Sequence, residues 1–307
     1  MTESTRPEHP VQAPPEHEFH LDKQAIAASF SKAATSYDAS AFLQQEVGRR
    51  LLERLDYVKL TPERIVDLGC GTGFMTRALE ARYKKARILG LDLAHGMAAH
   101  AKAQTGWRSR QSFAVGDAER LPLPDASVDL ILSNLTIQWC GDLDAVFREA
   151  KRVLKPGGLF MFTTLGPDTL KELRAAWRVV DGYTHVNAFM DMHDIGDGLV
   201  RAKLADPVMD VEHLTLTYRD TLGLMRDLKG IGAHNINAGR RHGLTGKARM
   251  AALSAAYEGF RRDEVLPATY EIVYGHAWGT VPPLSTEVEP GVFAFSLEAL
   301  KKTLRKP

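Results

Sequence analysis

The feature that most constrains this chain is a rhythm that begins at "RIVDLGCGTGF", where an apolar run enters a glycine-rich turn and leaves it as a helix. Strand "RIVDLG" is followed by helical "FMTRALEARY", strand "ARILGLDL", helical "GMAAHAKAQ", strands "QSFAVGD" and "VDLILSN", helical "LDAVFREAKRVL" and strand "GLFMFTTL". Strands that alternate with helices need crossover connections, so the pattern predicts an α/β chain whose parallel sheet is covered on both faces. "LKPGG", Leu154 to Gly158, reads as a helix stop and turn feeding the next strand.

The flanks follow other patterns. Residues 1–20 carry four prolines among polar residues and are expected to form a disordered tail. "KQAIAASFSKAATSYDASAFLQQEVGRRLLERL" spaces Ile26, Phe30, Val47, Leu51, Leu52 and Leu55 as helices do, with a break near Ser36 to Asp38 that divides it in two. Past residue 165 come helical "PDTLKELRAAWRVVD", a polar stretch "HVNAFMDMHDIGDGL", a strand "VEHLTLTY", a helix to Gly230, a segment rich in Gly, His and Arg, and a last strand "TYEIVYGHAWG". The expected organisation is a tail over 1–20, a helical lid over 21–60, a main domain over 61–280 with substrate-side helical segments near 166–205 and 221–266, and a flexible or peripheral tail over 281–307.

Composition excludes several functions. With 44% hydrophobic and 25% charged residues and a net charge of +1, the chain has no general basic excess of the kind that nucleic-acid binders carry. No apolar run approaches the roughly 18 residues that span a membrane, and the N-terminus has no apolar signal core, so the cytoplasm is the expected compartment. Cys70 and Cys140 cannot make a disulfide framework and read as reduced thiols.

The turn itself carries chemistry. A dinucleotide fingerprint requires G-x-G-x-x-G, whereas here Gly69, Gly71 and Gly73 are followed by Phe74 where the third glycine of that fingerprint belongs. Asp67, two residues before the first glycine, would repel a pyrophosphate and favour a cation. S-adenosylmethionine, with a sulfonium, an ammonium and no phosphate, meets that requirement. Asp92, at the end of the next strand, suits two ribose hydroxyls. In "GDAERLPLPDASVDLI", Asp117 can accept from an adenine amino group while the Ala118 N–H donates to a ring nitrogen.

"VDLGCGTG", "LDLAHGM", "VGDAERLPLPDASVDLILSN" and "LKPGG", in this order, resemble the class I S-adenosylmethionine-dependent methyltransferases. That resemblance implies a doubly wound, Rossmann-like, mostly parallel seven-stranded sheet, with Leu93 and Met97 joining Asp92 around the adenosine. Outside the core, "KQAIAASFSKAATSYDASAFLQQEV", "SNLTIQWCGDL", "GPDTLKELRAAWRVVD" and "LMRDLKGIGAHN" resemble the malonyl-[acyl-carrier protein] O-methyltransferases of biotin synthesis. This implies methyl transfer to the free carboxylate of a malonyl thioester, with acyl-carrier protein as partner. A small-molecule methyltransferase acting on a hydroxyl, amine or carbon, and an assembly factor or protein hydroxylase of the same fold, would share the core motifs.

A carboxylate is already ionised at pH 7 and needs no general base. "SNLTIQW" also lacks the Asn/Asp-Pro-Pro-Tyr pattern of adenine amino methyltransferases. Tyr37, at the break between the first helices, is a candidate lid residue whose phenol would donate to the substrate carboxylate, and Asn134, Gln138 and Trp139, after the fourth strand, are candidates for the site wall. His193 and His234 are candidate polar contacts, with no metal-ligand spacing around them. Between Arg226 and Arg262, eight basic residues (Arg226, Lys229, Arg240, Arg241, Lys247, Arg249, Arg261 and Arg262) face only Asp227 and Glu258, a local +6 suited to an acidic carrier and its phosphate.

Overall fold

The computed structural model describes residues 22–233 and 246–281, and the backbone of 285–289 and 292–295. Strands β1 (Arg64–Leu68), β2 (Arg87–Asp92), β3 (Gln111–Val115), β4 (Val128–Ser133), β5 (Leu154–Leu165), β6 (Ala205–Tyr218) and β7 (Leu266–Trp278) form one sheet in the order β3-β2-β1-β4-β5-β7-β6. The first five are parallel, and β7 runs antiparallel to both β5 and β6. The strand order reverses between β1 and β4, which opens a crevice at their carboxyl ends.

Successive side chains of a strand point to opposite faces, and the core is divided accordingly. Ile65, Leu130, Leu159 and Met161 pack on one face with Leu51, Leu79 and Trp177. Val66, Ile131, Phe160 and Phe162 pack on the other with Phe147, Ile195 and Leu199. Near-continuous apolar strands are what a sheet buried on both sides requires. The covering helices are α4 (Phe74–Arg82), α5 (His95–Ala103), α6 (Leu143–Val153), α7 (Lys171–Val180), α8 (Met192–Arg201), α9 (Thr221–Gly230) and α10 (Lys247–Glu258). Helix α6 shows the logic: Asp142 caps it by accepting from the Ala145 N–H at 2.8 Å, and Val146, Phe147, Ala150 and Val153 make one buried stripe. Each large apolar side chain so buried contributes about 1.5–3 kcal/mol.

Three expectations change. The N-terminal segment is three helices rather than two: α1 (Lys23–Ala33), a single turn α2 (Tyr37–Ser40) and α3 (Phe42–Arg54). "LKPGG" lies inside β5, as an irregular entry whose register against β4 shifts between Val128 and Leu130, with Gly157 at φ 75°. The polar stretch ends in helix α8, nucleated by Asp191 accepting from the His193 N–H. Within the segment expected to be flexible or peripheral, residues 285–289 and 292–295 pair as an antiparallel hairpin, β8 (Ser285–Glu289) with β9 (Val292–Phe295).

Candidate active site

The glycine turn is fixed from below. Both the Gly69 and Cys70 N–H groups donate to the Leu91 carbonyl, at 2.7 and 3.0 Å, which ties the turn to the end of β2. At Gly69 (φ 75°) a Cβ would fall 2.0 Å from Thr136 Oγ1, so only glycine fits. At Gly71 (φ 53°) a Cβ would meet nothing within 4 Å, because the bare backbone borders an open cavity. Asp92 completes the floor: its Oδ2 accepts from the Gly71 N–H and its Oδ1 from the Ala94 N–H, both at 2.8 Å. Burial raises the Asp92 pKa, and the two amides oppose that rise.

Leu93, Met97, Asp117 and Ala118 line the same cavity. Asp117 Oδ1 accepts from the Glu119 N–H at 3.0 Å, while its Oδ2 lies 2.6 Å from Lys23 Nζ, which is equally close to Glu119 Oε2. Helix α1 is thus ion-paired to the wall that would receive adenine. Other contacts of α1 repeat the pattern: Ser31 Oγ accepts from the Gly96 N–H at 3.1 Å, and Ser29 Oγ donates to the Gly232 carbonyl at 3.0 Å. Lys23 has no sequence signature that would have singled it out.

Several candidate residues stand elsewhere than expected. Asp67 does not line the cavity; it is 1% exposed behind the turn, with Oδ2 accepting from Thr76 Oγ1 of α4 at 2.5 Å. Burial, with a further push from Asp92, raises its pKa to about 7 against the pull of the Thr76 hydroxyl. Gly73 also lies off the cavity, at the N-cap of α4 with φ 84°. His193 is exposed and paired with Asp191 at 2.7 Å, away from the cavity. Arg226 is exposed on α9 and donates to the Leu222 carbonyl of its own helix, whereas Lys229 reaches the cavity rim. His234, Arg240 and Arg241 lie outside the described residues.

Tyr37, Asn134, Gln138 and Trp139 all line the cavity. Asn134 is committed to the frame: Nδ2 donates to the Gln44 carbonyl and Oδ1 accepts from Thr163 Oγ1, each at 2.8 Å. Gln138 likewise donates to the Leu135 carbonyl at 2.7 Å and accepts from Thr164 Oγ1 at 3.3 Å. Trp139 meets Phe30 of α1 edge-on at 5.3 Å. The Tyr37 hydroxyl, in contrast, makes no hydrogen bond among the described residues, and burial beside Asp92 and Asp38 raises its pKa and keeps it protonated. Sequence reading missed Gln44, His185, Asn187, Tyr218 and Tyr270, which line the same cavity.

The cavity measures about 880 Å³ and runs from Gly71 and Asp92 to Trp177, Tyr218 and Met250. Its near end presents Asp92, Asp117 and backbone amides, and the lysine there, Lys23, is neutralised by two acids. That donor set fits a cationic, hydroxyl-bearing nucleoside and disfavours a pyrophosphate. Both cysteines are free, and burial pushes the Cys140 thiol up to about 12 and the Cys70 thiol well above its ordinary range. Among the described residues no cluster of His, Cys, Asp and Glu could hold a metal ion, and no helix is long and apolar enough to cross a membrane.

Residues 66–162 match the family model described as a methyltransferase domain. The fold is shared with solved structures of the YcgJ protein from Bacillus (TM-score 0.53, 18% identity, 75% of this chain and 98% of that one) and of a putative methyltransferase from Bacillus halodurans (TM-score 0.53, 17% identity, 75% and 99%). The malonyl-[acyl-carrier protein] O-methyltransferase of Gallionella capsiferriformans is 53% identical over 277 residues, 88% of this chain and 96% of its own length. The chain belongs to this methyltransferase family. The relative of that name from Methylovorus is 55% identical over 266 residues, 85% of this chain and 90% of its own. As a member of the family this O-methyltransferase takes S-adenosylmethionine as its cofactor, and the α/β, doubly wound, mostly parallel seven-stranded sheet is the one that the sequence motifs implied.

Proposed function

We propose that this enzyme methylates the free carboxylate of a malonyl group held as a thioester on acyl-carrier protein, in the cytoplasm, on the route to biotin. The observation that carries the reading is the breadth of the similarity: it spans 88% of the chain, well beyond the shared cofactor core. S-Adenosylmethionine supplies a methyl group on a sulfonium, which the carboxylate oxygen takes in line as the neutral thioether leaves with the bonding electron pair.

The protein's part is then to bind, align and exclude water. Asp92 and Leu93 would hold the ribose, Met97 and Ala118 would flank the adenine, and Asp117, which also pairs with Lys23, would read its amino group. Asp67 supports the turn that carries Gly69, Gly71 and Gly73 without touching the ligand. The Tyr37 hydroxyl donates to the substrate carboxylate, while Asn134 and Gln138, both locked, fix the wall against which it aligns. Alignment and desolvation in a closed cavity can supply up to roughly 7–11 kcal/mol in ideal cases. Residues 21–60 act as the lid, and Lys229, with Arg226 beside it and Arg240, Arg241 and His234 further on, receives the acidic carrier. Mass spectrometry of products from malonyl-carrier protein and malonyl-coenzyme A tests the reading; an unmethylated malonyl group in both would end it.

A further inference from the structure

The far half of the cavity is apolar, walled by Leu170, Leu173, Leu216, Met225, Leu228 and Met250. Of the polar side chains that also line the cavity, two carry a buried oxygen without a partner among the described residues. Gln44 Oε1 and Asn187 Oδ1 are both shielded from solvent, both belong to cavity-lining residues, and neither accepts a hydrogen bond among the described residues. An acceptor sealed in this way is costly unless a ligand supplies its donor.

The two stand at different depths. Gln44 is beside the methyl-transfer end, since its own carbonyl takes the Asn134 amide at the end of β4. Asn187 belongs to the connection after α7, two residues from His185, which stacks on Trp177 at 3.6 Å and is held by Asp181 at 2.7 Å. A ligand matched to this chamber is a flexible, mostly apolar chain with neutral N–H donors at two points along it.

Building on the proposed function, we infer that Gln44 and Asn187 read the two amide N–H groups of a pantetheine arm, Gln44 the one nearer the thioester and Asn187 the farther. They are specificity-determining residues that place the malonyl group by grasping the chain behind it. The carrier arm is thereby distinguished from a short malonyl thioester inside the cavity as well as at the protein surface.

The test uses the full chain with three probes: malonyl-pantetheine with two amides, malonyl-N-acetylcysteamine with one, and malonyl ethyl thioester with none. Wild-type kcat/KM should fall about tenfold with each amide removed. Asn187→Leu should lose the step between the first two probes, and Gln44→Leu the step between the last two. Both losses should sit in KM, with kcat and S-adenosylmethionine affinity retained and the melting temperature equal to or above wild type, because an unpaired buried acceptor is gone. Gln44→Glu and Asn187→Asp keep an acceptor and should keep discrimination, which covers the case of a leucine variant that fails to fold. Equal wild-type rates on all three probes, or leucine variants that lose as much on the ethyl thioester as on malonyl-pantetheine, would overturn this inference alone. Failure of the wild type to methylate any of them would remove the proposed function, and this inference with it.

Discussion

Asp92 Oδ2 accepts the Gly71 N–H at 2.8 Å, so one carboxylate both stiffens the glycine turn and forms the floor of the nucleoside end. Removing it has two costs, a loosened turn and lost ribose bonds. Asp92→Ala should weaken S-adenosylmethionine and its demethylated product alike by about 1.5–3 kcal/mol, roughly 10- to 150-fold. Calorimetry decides: unchanged affinity, or tight NADH binding in its place, refutes the assignment.

Asp67 gives a pH signature. Its folded pKa of about 7 lies above the ordinary 3.8, so the folded state binds the proton more tightly than the unfolded chain. The stabilisation that this proton provides is fully present below about pH 4 and is lost as pH rises through about 7. Asp67→Asn keeps an acceptor for Thr76 and carries no charge to bury. Its melting temperature should match wild type near pH 4 and exceed it above pH 7, by at most about 4 kcal/mol of stability. A gap that is constant with pH, or reversed, counts against a buried ionising carboxylate.

Tyr37→Phe separates catalysis from cover. The ring packs against Phe30 with centroids 6.5 Å apart and remains in the variant, while the unbonded hydroxyl is lost. Turnover of the malonyl substrate should drop by about tenfold or more, the worth of a hydrogen bond to a charged group, with cofactor affinity changed less than about twofold. Equal turnover reduces Tyr37 to packing.

Helix α1, the proposed lid, is held by close approach as well as by charge. A Cβ at Gly96 would come within 2.7 Å of the Ser31 Cα and carbonyl oxygen, so Gly96→Ala must push α1 off α5. The central sheet is untouched, and the melting temperature should move little. Affinity for S-adenosylmethionine should fall about tenfold as Lys23 leaves Asp117 and Glu119. Limited proteolysis of α1 in the absence of cofactor would show the displacement directly; a lid as resistant as wild type contradicts it.

What was legible followed from strong local constraints. The places of the glycine turn, Asp92 and Ala118 at the cavity were readable because a tight turn and a strand end leave few alternatives, and the alternation of strands with helices announced a sheet covered on both faces, on which Ile65 and Val66 pack to opposite sides. Helix α8 was hidden because Ile195 and Leu199 stand among Asp and Gly, which are poor helix formers. Asp67 was misplaced because its partner, Thr76, comes within reach only when α4 folds back over β1. Gln44 lies on α3 and His185 and Asn187 on the connection after α7; the two elements meet only across the cavity, and no spacing in sequence records that meeting.

The basic segment divides a carrier-protein enzyme from a small-molecule one. Arg226 and Lys229 are three apart on α9 and so share a face, and Lys229 stands at the cavity rim. The last turn of α9 also lies against the lid, since a Cβ at Gly230 would fall 2.2 Å from Ser40 Oγ. A carrier held there would deliver its arm beside the opening. Arg226→Glu with Lys229→Glu should raise KM for malonyl-carrier protein several-fold at low salt, and the defect should shrink toward 0.15 M, where screening confines exposed charges to roughly 8 Å. Malonyl-coenzyme A, which lacks the acidic protein surface, should be less affected. Both residues are exposed, so the melting temperature should stay within a degree or so of wild type. Carrier kinetics that match wild type at every salt concentration, in a folded double variant, would make this face of α9 a solvated surface and place the carrier elsewhere.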